Sequence, residues 1–189
     1  NWQHGPTAQD LMNVLCAGNY IVDVTDANGC TTSATITINE PAPLQSSITG
    51  VDVTCHNACN GSADLTVFGG TPGYTFNWDD PNNSSSEDIS ALCAGTYAVT
   101  ISDANGCIQT ENITINQPSP LSLSASSLNS NCGNSDGQVS VQVTGGTPNY
   151  SFQWDDPSAS STSSVSNLLA GIYNVTVTDS NGCIENTSI

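Results

Sequence analysis

One sixteen-residue phrase organises this chain. Leu92–Cys107 reads LCAGTYAVTISDANGC, Leu15–Cys30 reads LCAGNYIVDVTDANGC and Leu168–Cys183 reads LLAGIYNVTVTDSNGC. The steps are 77 residues from Cys30 to Cys107 and 76 from Cys107 to Cys183, so the chain is a tandem array of one unit. Within the phrase Tyr97, Val99 and Ile101 alternate with Thr96, Ala98, Thr100 and Ser102, the period of two that turns one row to a core and the other to water. Asp103–Gly106 then ends in Asn-Gly, a strong hairpin signal.

The echo divides the chain into the C-terminal half of a truncated repeat (1–43), a complete repeat (44–118) and a repeat truncated in its last strand (119–189). Trp2 aligns with Trp78 and Trp154. The units meet at Glu40-Pro41-Ala42-Pro43 and Gln117-Pro118-Ser119-Pro120, where prolines remove donors and stiffen the backbone into short semi-rigid joints. In the complete repeat, Val51, Val53 and Cys55 alternate in an expected first strand and Ala63, Leu65 and Val67 in a second. Gly69–Gly73 makes a tight turn, and Tyr74, Phe76 and Trp78 form an aromatic row that reads as core packing. Asp79–Ser90 is expected to be a polar loop or short edge strand. About seven short strands with turn signals every 8 to 12 residues imply an all-β fold of tandem immunoglobulin-like β-sandwich repeats of about 76 residues. A Trp on the third strand and a Tyr after a Leu-x-Ala-Gly turn, as in a tyrosine corner, favour that version.

Charge excludes several functions. The chain has no Lys or Arg, 17 Asp plus Glu and a formal net charge of -17. Nucleic-acid binding draws its affinity from cationic side chains, so no nucleic-acid partner is expected. No run of 18 apolar residues exists, and direct membrane insertion is not expected. His4 and His56 do not recur with a nucleophile, so the chain reads as no enzyme. Eight cysteines in units this small point to disulfides and an oxidising, extracellular setting.

The joint occurrence of Cys-x-x-x-x-Asn-Gly, Gly-Gly-Thr-Pro-x-Tyr-x-Phe-x-Trp, Leu-x-Ala-Gly-x-Tyr and Asp-x-Asn-Gly-Cys resembles the SprB-type repeat of very large surface adhesins of gliding bacteria. The resemblance covers nearly the whole chain. It implies an exported, cell-surface, Ig-like array used in adhesion or as a fibre. The third unit departs from the pattern by carrying Ser135 and Leu169 where the second has Cys59 and Cys93.

That joint loss argues for a Cys59–Cys93 bridge, leaving Cys55 with Cys107 and Cys132 with Cys183 as the within-unit pairs. The rival pairing, Cys30 with Cys55 and Cys107 with Cys132, would staple neighbouring units across the proline joint. Asp79, Asp80, Asp103 and Asn105 are candidate oxygen ligands for calcium, although calcium needs six to eight oxygens and the plain alternative is turn chemistry. No other cofactor is expected. The functional expectation is a structural or adhesive repeat segment of a long extracellular surface protein or fibre. The alternative is a passive spacer stalk presenting a distal carbohydrate-binding or catalytic domain. Expected partners are neighbouring repeats, copies of the chain in a fibre, and surface glycans.

Overall fold

The computed structural model describes residues 15–189; Trp2 and His4 lie outside the described residues. Among these residues every regular element is a strand. A hairpin of β1 (Gly18–Thr25) and β2 (Thr31–Ile38) comes first. The complete repeat holds β3 (Gln45–Val51), β4 (Gly61–Phe68), β5 (Thr75–Trp78), β6 (Ile89–Leu92), β7 (Gly95–Ser102) and β8 (Ile108–Ile115). The third repeat holds β9 (Ser122–Leu128), β10 (Gly137–Thr144), β11 (Ser151–Trp154), β12 (Ser164–Leu168), β13 (Asn174–Thr178) and β14 (Ile184–Ser188).

Each set of six strands makes two antiparallel sheets, β3-β4-β6 facing β5-β7-β8 and β9-β10-β12 facing β11-β13-β14. The arrangement is that of an Ig sandwich with strands A, B and E opposite C, F and G. Six strands form where seven were expected, because the stretch after β5 is a loop in the place of strand D. Asp80 holds that loop by accepting the backbone N–H groups of Ser84 (2.7 Å) and Asn82 (3.0 Å). Asp156 does the same in the next repeat through Ser160 and Ser158. These carboxylates stand in for a strand's ladder, since every buried backbone donor needs an acceptor.

The first strand also lies earlier than its alternation implied. Val51 is exposed and Val53, buried, lies just past β3, where its N–H donates to the Asn116 carbonyl. The reason is that β3 is an edge strand whose inward residues, Ser46 and Ile48, are less apolar than the Val-x-Val beyond it.

The two interiors are separate. One gathers Ala63, Leu65, Trp78, Tyr97, Val99 and Ile101; the other gathers Val139, Val141, Trp154, Val175 and Val177. Trp78 and Trp154 are 1% and 2% exposed and still satisfy their indole N–H, which donates to Ser86 O at 3.0 Å and Thr162 O at 2.8 Å. The tyrosine corner is present in all three units. Tyr20, Tyr97 and Tyr173 each donate their hydroxyl to the carbonyl four residues upstream, of Cys16, Cys93 and Leu169.

The Gly-Gly turns need their glycines. Gly69 and Gly70 take φ of 72° and 60°, and Gly145 and Gly146 repeat this at 71° and 60°. A Cβ on Gly69 or Gly145 would also collide with the carbonyl oxygen of Pro43 or Pro120. Trp78→Ala is expected to destabilise the Gln45–Ile115 sandwich by about 3–5 kcal/mol. In denaturant unfolding, Trp154 fluorescence would report a second transition much less affected.

Candidate functional site

The functionally informative part of this molecule is the junction between the two sandwiches, and its geometry follows from strand direction. β3 and β8 run side by side in the same sense. At their shared end Asn116 N–H donates to Asp52 Oδ1 at 2.7 Å. The loop after β3, carrying Cys55, therefore lies where β8 runs out into the proline joint. Cys107 precedes β8 and sits at the opposite end of the domain, about 26 Å away at roughly 3.3 Å per strand residue. The second sandwich repeats the scheme and enters at the end that carries its Gly-Gly turn and Cys183.

The joint is clamped from both sides. On the first sandwich Pro118 O meets His56 Nδ1 at 3.2 Å, and Gln117 Oε1 accepts Asn57 N–H at 2.8 Å. On the second, Gly146 N–H donates to Ser119 O at 2.9 Å, as Gly70 does to Ala42 O at 2.7 Å one unit earlier. Across the joint the Asn181 amide donates to Thr54 O at 3.0 Å. A covalent bond completes the junction: Cys55 is joined to Cys183, with Cα atoms 5.7 Å apart and a sequence separation of 128. A shallow cleft remains beside it, lined by His56, Pro118, Pro120 and Glu185 among others.

This corrects the expected pairing. Cys55 does not meet Cys107, and Cys183 does not meet Cys132; Cys107 and Cys132 are exposed free thiols. Each within-unit pair would have to span the length of a sandwich, far beyond the ~7 Å Cα limit for a disulfide. The rival staples fail too, since Cys30 is free and Cys55 is taken. A staple across the joint does exist, but between the other two cysteines. Cys59 and Cys93 are bridged. They flank the Gly61–Leu92 pair of β4 and β6, which brings the loop and the turn together.

The hairpin aspartates present the last-strand cysteines. Asp103 Oδ1 accepts the N–H of Asn105 (2.9 Å) and Cys107 (2.8 Å), while Oδ2 reaches across to Thr71 N–H (2.9 Å) and so ties the hairpin to the Gly-Gly turn. Asp179 does the same with Asn181, Cys183 and Thr147. Both carboxylates are buried and, in a chain without Lys or Arg, these N–H dipoles stabilise their charge. The Thr71 bond, followed by those from Cys107 and Asn105, holds the Asp103 carboxyl below its ordinary pKa against the opposing cost of burial. At Asp179 burial is the largest single influence and pushes upward, but the combined N–H bonds from Thr147, Cys183 and Asn181 still carry the carboxyl below its ordinary value. The nearby Asp103 charge pushes the Cys107 thiol up, which keeps it protonated and slow to react.

The calcium candidates are not brought together. Asp103 and Asn105 lie at the end where β5 begins, and Asp79 and Asp80 at the end where it finishes. Asp79 Oδ1 is occupied by Ala98 N–H at 2.7 Å, and Asn105 gives its amide to Thr71 Oγ1 at 2.7 Å. Asp80 serves its own loop, while Asp79 binds across to β7 and Asp103 and Asn105 to the Gly-Gly turn.

Among known proteins, the likeness lies at the level of the repeat. The family model of the SprB repeat matches residues 47–83 and 124–159. The chain is thus similar to the SprB repeat at two places. Each match runs from the first strand through the aromatic row into the aspartate loop, and so includes the first-loop cysteine, Cys55 or Cys132. No curated protein sequence matches the chain. Among solved structures it is similar to the N-terminal eight Ig domains of Down Syndrome Cell Adhesion Molecule isoform 1.30.30, at 13% identity and a TM-score of 0.42, covering 91% of this chain and 26% of that one. A structure titled for Dscam isoform specificity matches at 12% identity and a TM-score of 0.31, covering 90% and 53%. An amphioxus IgVJ-C2 molecule matches at 13% and 0.30, covering 77% and 94%.

The lowered carboxyl pKa values set the sign of the pH dependence. A group whose folded pKa lies below its unfolded value contributes stability that is complete above the unfolded pKa, about 3.9 for Asp, and is lost as pH falls through the folded one. The melting temperature of these repeats is expected to be flat from neutral pH to about 5 and to drop below about 4. Asp103→Asn keeps one acceptor oxygen but turns an amide N–H towards Thr71 N–H. It is expected to melt lower at pH 7 and to show a shallower acid loss by circular dichroism.

Proposed function

We propose that the chain is a tension-bearing segment of a long extracellular surface protein or fibre of the adhesin type. SprB repeats belong to surface proteins, and neither they nor Ig-like sandwiches are catalytic families. Two disulfides suit an oxidising exterior, and among the described residues no helix is long and apolar enough to cross a membrane. The partners in this reading are neighbouring repeats, further copies in a fibre, and surface glycans.

The Cys55–Cys183 bridge carries the reading. Tension entering at Leu44 runs along β3 to Cys55, crosses to Cys183 and leaves along β14. Both strands are already extended, so the covalent path has little slack. The bridge removes the cores of both sandwiches from that path, and neither needs to be strong for the segment to keep its length. A bridge placed only to stabilise each domain would close within it.

Single-molecule extension of the oxidised chain through tags at its two ends tests this. The oxidised chain is expected to release no length from residues 56–182. The Cys55→Ser, Cys183→Ser variant should release on the order of 30 nm more, from about 3.3–3.6 Å per freed residue less the part still closed by Cys59–Cys93. Equal extension of both proteins would overturn the proposal.

A further inference from the structure

We infer that Cys107 and Cys132 are the two open halves of the linkage that Cys55 and Cys183 close, so that each repeat is stapled to the next by a bond from its first loop to the neighbour's last hairpin. The partner at either thiol is another repeat of this type carrying the complementary cysteine. The inference rests on the bridge already present and not on the tension reading, since an array could be stapled without bearing force.

Position is the first support. Cys132 stands 77 residues after Cys55, and Cys107 stands 76 before Cys183. Presentation is the second and is independent of numbering. The residue before Cys55 is held by Asn60, which accepts Thr54 N–H at 3.1 Å and donates to Thr54 Oγ1 at 2.8 Å. The residue before Cys132 is held in the same way by Asp136, which accepts both Asn131 N–H at 2.8 Å and the Asn131 amide at 2.5 Å. The clasp survives although the third unit's loop is one residue shorter and its side chains are exchanged. At the other half, Cys30, Cys107 and Cys183 each donate their N–H to the Oδ1 of an aspartate four residues upstream, at 2.8, 2.8 and 2.9 Å.

Recognition across the closed joint also transfers. Asn181 amide and Cys183 both approach the backbone carbonyl of Thr54, an acceptor that any residue supplies. Asn105 occupies the Asn181 place beside Cys107, and the Asn131 carbonyl occupies the Thr54 place beside Cys132. The two open thiols lie at opposite outer ends of the paired sandwiches, so they cannot satisfy each other within one chain. Closing a staple forms one S–S bond and releases two protons and two electrons. The acceptor is a disulfide-donating oxidant that takes up the two electrons and two protons: a thiol–disulfide oxidase, reduced to its dithiol, or an oxidised low-mass thiol, reduced to two thiols.

The repeat supplies its own test. Ile189 is the counterpart of Ile113, so a second copy of residues 114–189 appended after Ile189 continues the array in register and adds one repeat. An Ile184→Val mark in the added copy distinguishes its hairpin peptide. After oxidative refolding, non-reducing peptide mapping with aspartyl- and aromatic-specific proteases is expected to find Cys132 joined to the added copy's Cys183 and the original Cys55–Cys183 bond retained. Alkylation of Cys132 should fall from complete in the 189-residue chain to near zero, while Cys107 stays alkylatable. Cys132 still alkylated beside an intact Cys55–Cys183 bond would overturn the inference, as would a Cys132 bond to Cys183 of its own repeat. Loss of both cross-joint bonds overturns it too, because the joint's geometry is held to be the cause of pairing. Such a failure would leave the force behaviour of the existing bridge unaffected.

Discussion

The carboxylate that accepts backbone N–H groups is the interaction on which this architecture depends. A chain with 17 acidic residues has no Lys or Arg to set against a buried carboxylate. Asp80, Asp103, Asp156 and Asp179 are nonetheless buried. They are tolerated because each takes the N–H donors of its own turn, and Asp103 and Asp179 take one more from the Gly-Gly turn facing it. Those N–H groups would otherwise be unsatisfied, so the same bonds meet the needs of donor and acceptor. Turn geometry, loop closure in place of strand D and the presentation of the last-strand cysteines all follow from this one device.

From the turns the chain passes to the joint. Because the first and last strands of each sandwich run the same way, a repeat is entered at one end and left at the other. The Gly-Gly turn accepts the incoming proline segment and the first-loop residues His56 and Asn57 hold the outgoing one. Successive domains are thereby placed head to tail with the Cys55 loop of one against the Cys183 hairpin of the next. The disulfide records that contact covalently. In the third repeat the loss of the Cys59–Cys93 pair, now Ser135 and Leu169, leaves the sandwich topology unchanged. The within-repeat bridge is therefore secondary to the tyrosine corner and the tryptophan-centred core, which both repeats keep.

Much of this was legible in the residues. Tyr97, Val99 and Ile101 are buried as their alternation required, Trp78 and Trp154 centre the cores, and the tyrosine corner follows its Leu-x-Ala-Gly turn in every unit. Comparison of the repeats linked Cys59 to Cys93, because residues lost together mark a contact. It could not do the same for Cys55 and Cys107, whose counterparts Cys132 and Cys183 both persist in the third unit whether they bond within it or beyond it. The first strand was misplaced for a related reason: on an edge, apolar alternation marks the residues that pack and not the residues that pair.

What the sequence determined by itself was the local order: a period of two with Asp-Asn-Gly turns forces hairpins, and 76- and 77-residue echoes force like domains in series. Which residues are neighbours across a joint was decided only in three dimensions. Strand direction carries Cys55 and Cys107 to opposite ends of one sandwich, and the proline segment then sets the next sandwich's hairpin against the nearer one. Disulfide choice depends on that separation in space, a quantity to which spacing along the chain is blind.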